Sequence, residues 1–407
     1  MSDLLIADEI LDSIKKVTGV PSDSTFIGLH EPLFKETNAY KYVKESLDSG
    51  WVSSSGEWVE RFENAIKNYT NSNHCIAVNN GTVALRLALH LAGVKPGEEV
   101  ILPPLSFVAT ANAISHLGGV PHFVDIEREN LGLCPVALRV RLNNICEEKN
   151  GSLINKETGR KIAAVVPVHV FGTPAKILSL KKVCDDFNLP MIEDAAEALG
   201  SFKKIEHQWL HCGLIGEIGI LSFNGNKIIT TGGGGALLTN NAELAVKARH
   251  LSTTAKLKHK WDFNHDEVGW NDRLPGINAA IGVAQLEELS SRIEMKRVLF
   301  QKYLKELGSL ENTQILKEPH NCKSNHWLIT LRLCMKDTIE INQVRNELLT
   351  KSHELGIQLR PSWKPIHMLP MYRDMPKGEL INIENEFNRL INLPSSPQIL
   401  SKKIMKN

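Results

Sequence analysis

Short apolar runs alternate with longer stretches of helical periodicity from about residue 73 to residue 239. Residues 74–78 read as a strand, and after Asn79-Asn80-Gly81-Thr82 the apolar positions Val83, Leu85, Leu87, Ala88 and Leu91 mark one face of a helix. The same unit recurs. A strand over 100–102 leads to a helix over 107–117, a further strand is expected at 121–124, and one at 163–168 leads through Pro174 to a helix ending near Phe187. Strands at 190–193 and 218–223 complete the series, which predicts a mainly parallel sheet with helices on both faces. Residues 150–160 (NGSLINKETGR) are polar and turn-rich and predict an exposed excursion. Further on, one long helix is expected over 278–304, then a smaller α+β unit with a strand at 326–333 and a helix at 341–355. The first residues, MSDLLIADEILDSIKK, read as an amphipathic helix, and the expected division is a helical extension (1–30), a large domain (31–280) and a small domain (281–407).

Charge narrows the functional classes. Among 407 residues, Lys+Arg number 47 and Asp+Glu 46, a net charge of +1, so there is no basic surplus for nucleic acid or an anionic membrane surface. No run approaches the roughly eighteen apolar residues of a membrane helix. The opening segment lacks a basic region followed by a small-residue cleavage site, which points to a cytoplasmic protein. Seven scattered cysteines without a CxxC pair fit reduced thiols, with no metal site expected.

The candidate chemistry lies at the ends of the expected strands. Met191-Ile192-Glu193-Asp194-Ala195-Ala196-Glu197 carries acids to the carboxyl end of a strand, where open α/β sheets bind ligands. A lone Glu-Asp pair there is more often a solvated turn. Thirty-three residues on, Lys227 closes Ser222-Phe223-Asn224-Gly225-Asn226-Lys227, just ahead of Gly232 to Gly235. The set meets the needs of pyridoxal phosphate. Its dianionic phosphate requires backbone N–H groups at a helix start, where Gly81 and Thr82 stand, and a hydroxyl such as Ser222. Its ring nitrogen stays protonated beside a buried carboxylate such as Asp194, its aldehyde needs an amine such as Lys227, and Phe107 follows a strand as a flat apolar cover.

With these residues in place, the chain resembles the fold-type I pyridoxal phosphate enzymes of the DegT/StrS-type sugar aminotransferases over nearly its whole length. The resemblance is carried by Asn80-Gly81-Thr82, Ser106-Phe107-Val108-Ala109-Thr110, Val168-His169-Val170-Phe171-Gly172, Glu193-Asp194-Ala195-Ala196-Glu197, Ser222 to Lys227, and Gly269-Trp270-Asn271-Asp272-Arg273. It implies a mainly parallel seven-stranded sheet sandwiched by helices and a smaller C-terminal α+β domain. It implies Lys227 as the lysine that carries the cofactor and moves protons, Asp194 at the ring nitrogen, and Glu197 beside the ring's O3′ edge. Ser222, Gly81 and Thr82 would bind the phosphate and Phe107 would cover the ring. Asn271 and Arg273 would reach the phosphate from a second subunit, making a homodimer with shared sites. His169 reads as structural, while Arg360, Trp363 and His367 are candidates for the substrate entrance.

Within the family, the SFNGNKIITTGGGG run, the 155–160 insert and Arg360-Pro361-Ser362-Trp363-Lys364 are similar to the branch serving legionaminic-acid-type bacterial glycans. That branch moves an amino group from L-glutamate to the C4 keto group of a 4-keto-6-deoxy nucleotide sugar. Two departures from the family pattern stand out: residues 202–215 replace the usual glycine-rich turn, and Asp272 stands where an aromatic residue is common. Two rivals are a sugar dehydratase, which in the family has histidine in place of the lysine, and a non-catalytic regulatory relative. Lys227 argues against the first, and the set of Lys227, Asp194 and Ser222 against the second.

Overall fold

A computed structural model describes residues 3–21 and 26–400. Parts of the expected terminal units, residues 1–2, 22–25 and 401–407, lie outside the described residues. The central sheet runs in the order His74–Val78, Gly235–Thr239, Ile218–Ser222, Ile192–Asp194, Ile162–Val165, Glu99–Leu102, Val120–Phe123. The two halves meet at the parallel bridges Val165–Met191 and Val168–Asp194. Gly235–Thr239 is antiparallel to both its neighbours, and the pairings on the other side are parallel. This is the expected seven-stranded, mainly parallel sheet.

Its strands read as apolar runs because both faces are covered. Ile76, Val78, Ile218, Ile220 and Leu237 enter one core cluster, while Cys75, Ala77, Leu221, Ala236 and Leu238 enter another on alternate positions. Val100 and Leu102 split from Ile101 in the same way. Alternation therefore survives inside an apolar run, dividing it between two layers of helices.

The expected long helix after residue 278 is two helices, Gly276–Glu287 and Leu289–Leu307, parted at Glu288. Two cores pull the chain in different directions there. The first helix packs on Ala39–Asp48 and Glu57–Thr70, and the second on Asp3–Thr18. That N-terminal helix places Ile6, Ile10 and Ile14 in one cluster with Leu299, Tyr303, Val344 and Leu348. The same cluster takes in a second sheet in the order Thr313–Ile315, Ile329–Leu333, Leu390–Leu393, Arg360–Pro361, and the helix Thr338–Glu354.

The polar excursion contains a hairpin, Cys146–Lys149 paired with Ser152–Asn155, and it is exposed as expected at most positions from 150 to 160 while being held down at Asn155. Asn155 is buried and donates to Glu99 Oε2 at 2.9 Å, and Thr158 donates to Glu99 Oε1 at 2.6 Å. His122 Nδ1 lies 2.7 Å from the same carboxylate. A fully buried Glu99 thus fastens the excursion to the sheet. No helix among the described residues is long and apolar enough to cross a membrane.

Candidate active site

The carboxyl ends of the parallel strands open on a cavity of about 360 Å³. Seven of the expected residues line it: Gly81, Thr82, Phe107, Asp194, Glu197, Ser222 and Lys227. One end of it is built from the start of helix Gly81–Leu91. Asn80 caps that helix through Val83 N–H at 2.9 Å, so Gly81 and Thr82 precede the capped position. Two glycines allow the close approach. A Cβ on Gly81 would stand 2.9 Å from Ser222 Cβ, and one on Gly235 would stand 2.4 Å from the Asn80 carbonyl carbon.

At the other end the acids are buried. Asp194 Oδ2 accepts from Thr110 Oγ1 at 2.8 Å, which itself lies 2.6 Å from Ser106 Oγ, and Oδ1 accepts from Ala196 N–H at 3.2 Å. Burial pushes the Asp194 carboxyl above its ordinary range despite those donors. Glu197 is raised for the same reason, although Lys227 and the Phe171 N–H (2.8 Å) oppose the shift. Lys227 Nζ is 3.2 Å from Glu197 Oε1 and 4.1 Å from the centre of the Trp327 ring. Trp327 in turn donates its indole N–H to Asn226 O at 2.7 Å.

Phe107 is 54% exposed, with its ring centre 6.2 Å from Trp363. It is therefore an open wall of the cavity rather than core. Arg360 and Trp363 line the cavity as well. His367 does not: it is buried beside Phe123, and neither ring nitrogen has a hydrogen-bond partner. His169 is structural. Its Nδ1 accepts from Ala175 N–H at 3.1 Å, which makes Nε2 the protonated nitrogen facing Glu193 at 2.9 Å. Glu193 then accepts from the backbone of Gly213, Ile215 and Gly216, tying down the turn that follows.

Asn271 and Arg273 lie outside the cavity of their own chain. Asn271 is exposed, and Arg273 Nη2 sits 3.2 Å from Glu63 Oε1. The unusual Asp272 pairs with Arg86, whose guanidinium lies 4.7 Å from the Trp270 ring centre. The other departure, residues 202–215, contains the hairpin Phe202–Ile205 with Gln208–His211, extended by Cys322–Lys323. Sequence reasoning missed His30, Thr110, Trp327, Gln358 and Asn392, all of which line the cavity. Thr110 and Asn392 had a signal, since each falls in a run that carries the family resemblance.

The donor set fits pyridoxal phosphate. A helix start with close backbone access faces a cavity whose far wall holds two buried carboxylates raised by burial, with Lys227 as their cationic neighbour. A protonated ring nitrogen beside Asp194 would supply the missing positive charge. When bound, the cofactor supplies an electron-accepting ring that makes the substrate's C–H bond acidic. The residues that would hold it are Gly81, Thr82 and Ser222 at the phosphate, with Asp194 placed to balance charge and the Lys227 amine placed to carry a proton.

Residues 35–406 match the model of the DegT/DnrJ/EryC1/StrS aminotransferase family. EpsN of Bacillus subtilis (strain 168), assigned as a pyridoxal phosphate-dependent aminotransferase, is 37% identical over 81% of this chain and 80% of its own length. A GDP-perosamine synthase of Vibrio cholerae is 34% identical over 93% of this chain and 96% of its own. The aminotransferase TlmJ of Streptoalloteichus hindustanus superposes with a TM-score of 0.80 at 26% identity, covering 91% of this chain and 94% of that one. The chain belongs to the DegT/DnrJ/EryC1/StrS aminotransferase family, whose cofactor is pyridoxal phosphate.

Proposed function

We propose that the protein transfers an amino group from L-glutamate to the C4 keto group of a 4-keto-6-deoxy nucleotide sugar, for a legionaminic-acid-like surface glycan. The observation that carries this reading is Lys227 Nζ held 3.2 Å from Glu197 in the cavity that also holds Asp194 and the Gly81–Thr82 helix start. The likeness to a relative named for an amino sugar carried on GDP supports a nucleotide-sugar acceptor. In this reading Lys227 and Asp194 are the catalytic residues. Gly81, Thr82 and Ser222 hold the phosphate, Phe107 covers the ring, and Glu197 flanks it while orienting Lys227. Asn271 and Arg273 complete the phosphate site of a second copy in a homodimer, which the exposed position of Asn271 permits.

The reading also places the enzyme in the cytoplasm, where nucleotide sugars are made. Of its division into 1–30, 31–280 and 281–407, the separate core of the last is supported by the cluster around the C-terminal sheet, into which the N-terminal helix also packs. The test uses purified holoenzyme. Glutamate should bleach its visible absorbance, and a panel of keto sugar nucleotides should restore it while gaining an amine detectable by mass. A colour insensitive to amino donors overturns the reading.

A further inference from the structure

Residues 27–31 are fastened to the C-terminal part of the chain on both sides of His30. Ile27 N–H donates to Gly356 O and Gln358 N–H to Ile27 O, each at 2.9 Å. Leu29 N–H reaches Gln358 Oε1 at 2.9 Å, Leu29 O accepts from Ser395 N–H at 2.7 Å, and Glu31 N–H reaches Ser396 Oγ at 2.9 Å. These contacts are made by the arm's backbone. The imidazole of His30 makes none of these: the residue is half-buried, both ring nitrogens are shielded from solvent, and neither makes a hydrogen bond of good geometry, the Asn226 carbonyl lying near enough only to act on the ring's charge. The ring lines the cavity that contains Lys227. The neighbouring Asn226 carbonyl already accepts the Trp327 indole N–H.

A buried polar side chain without partners opposes folding unless something bound satisfies it. The arm is anchored without the ring, so packing does not explain why an imidazole stands here. We propose that His30 is a specificity-determining residue for the acceptor half of the reaction, its imidazole hydrogen-bonding a hydroxyl of the keto-sugar acceptor. The inference rests on the aminotransferase reading above.

Burial, helped by the nearby cations Lys296, Arg292 and Lys227, holds the ring well below the usual histidine range, although the Asn226 carbonyl opposes this. The ring is therefore neutral, with one donor and one acceptor, and a hydroxyl offers the same pair. A donor amino acid's carboxylate only accepts. Its match in the cavity is Arg360, an exposed guanidinium without an ion pair among the described residues. The cofactor phosphate has its own place at Gly81, Thr82 and Ser222.

The test separates the half-reactions in wild-type, His30→Phe and His30→Gln holoenzymes. Bleaching by glutamate reports the donor half. Return of colour when a keto sugar nucleotide meets the aminated enzyme reports the acceptor half. His30→Phe should lower kcat/KM of the acceptor half by roughly 10- to 100-fold, and at least tenfold more than that of the donor half. His30→Gln should recover part of the loss. Thermal midpoints give an independent readout, with His30→Phe melting no lower than wild type because an unpaired polar group has been removed. Equal losses in both halves, no acceptor loss, or a lower melting point for the Phe variant overturns the role of His30. A wild type that bleaches with glutamate but aminates no keto sugar overturns the proposed function, and the inference falls with it.

Discussion

Asn325 and Glu197 are joined by a hydrogen bond of 2.8 Å from the Asn325 carboxamide to the Glu197 carbonyl, and a second, of 2.9 Å, runs to Leu199. The carboxamide oxygen accepts the Trp327 N–H at 2.8 Å. One side chain therefore sets both the acid and the aromatic face that flank Lys227. Asn325→Leu leaves two carbonyls and one N–H unpaired in the interior, so unfolding free energy should fall by about 1–3 kcal/mol per orphaned group, less any relaxation. Chemical denaturation of the variant measures this, and an unchanged midpoint contradicts it.

Lys227→Ala should abolish steady-state transamination while the protein still binds pyridoxamine phosphate, because the phosphate and ring contacts do not use the lysine amine. Proton transfer by a positioned group contributes roughly 10²- to 10⁴-fold, and in the proposed reading this lysine also carries the cofactor, so the loss should reach at least the top of that range. Single-turnover amination by the mutant preloaded with pyridoxamine phosphate is the measurement. Near-wild-type turnover would remove Lys227 from the site.

Asp194→Asn separates stability from chemistry. Burial raises the Asp194 carboxyl, so in the cofactor-free protein its charge opposes folding at neutral pH, and the amide should melt at the same temperature or higher. In the proposed reading the cofactor-bound mutant lacks the charge that would keep the ring nitrogen protonated, and rate should fall more than cofactor affinity. A mutant with wild-type rate would place the ring nitrogen elsewhere.

Glu99 links stability to pH. Burial works to raise its carboxyl, but hydrogen bonds from His122, Thr158 and Asn155 outweigh this and leave it lowered. A carboxyl lowered on folding stabilises above its unfolded value, and the contribution disappears as pH falls through its folded one. Glu99→Gln should therefore destabilise by about 1–3 kcal/mol near neutrality. The gap to wild type should shrink under acid conditions, as denaturant titrations at both pH values would show. A pH-independent difference would mean that packing alone is responsible.

The proposed sharing of sites makes a prediction about mixed dimers. Arg273→Ala still leaves Glu63 paired with Arg249 at 2.7 Å, so the subunit should fold. Lys227→Ala and Arg273→Ala chains, coexpressed and isolated by two tags, should regain activity because one of the two sites receives both intact residues. A mixed dimer no better than the better homodimer would confine Arg273 to its own subunit.

What could be read from the residues alone follows from the range over which each signal acts. Strands such as Ile218–Ser222 announce themselves because both faces are buried. Gly81, Asp194 and Ser222 stand at strand ends or helix starts, and Lys227 in the turn that follows Ser222, where local pattern and chemistry coincide. The break at Glu288 was invisible because both flanking segments are good helices, and two separate cores decide the bend. The point at which the 150–160 excursion is tied down was not legible, because its anchor, Glu99, lies 56 residues from Asn155. Trp327 reaches Asn226 across 101 residues, and His30 sits in an arm with no periodic pattern.

The bond from Glu31 to Ser396 spans 365 residues. Contacts that distant in sequence form late, because the intervening loop must first be ordered. During synthesis, then, the wall carrying His30 stays open until almost the whole polypeptide has left the ribosome. A C-terminal truncation that removes Ser395 and Ser396 should give a product that gathers its central sheet but holds the wall carrying His30 only at Gly356 and Gln358.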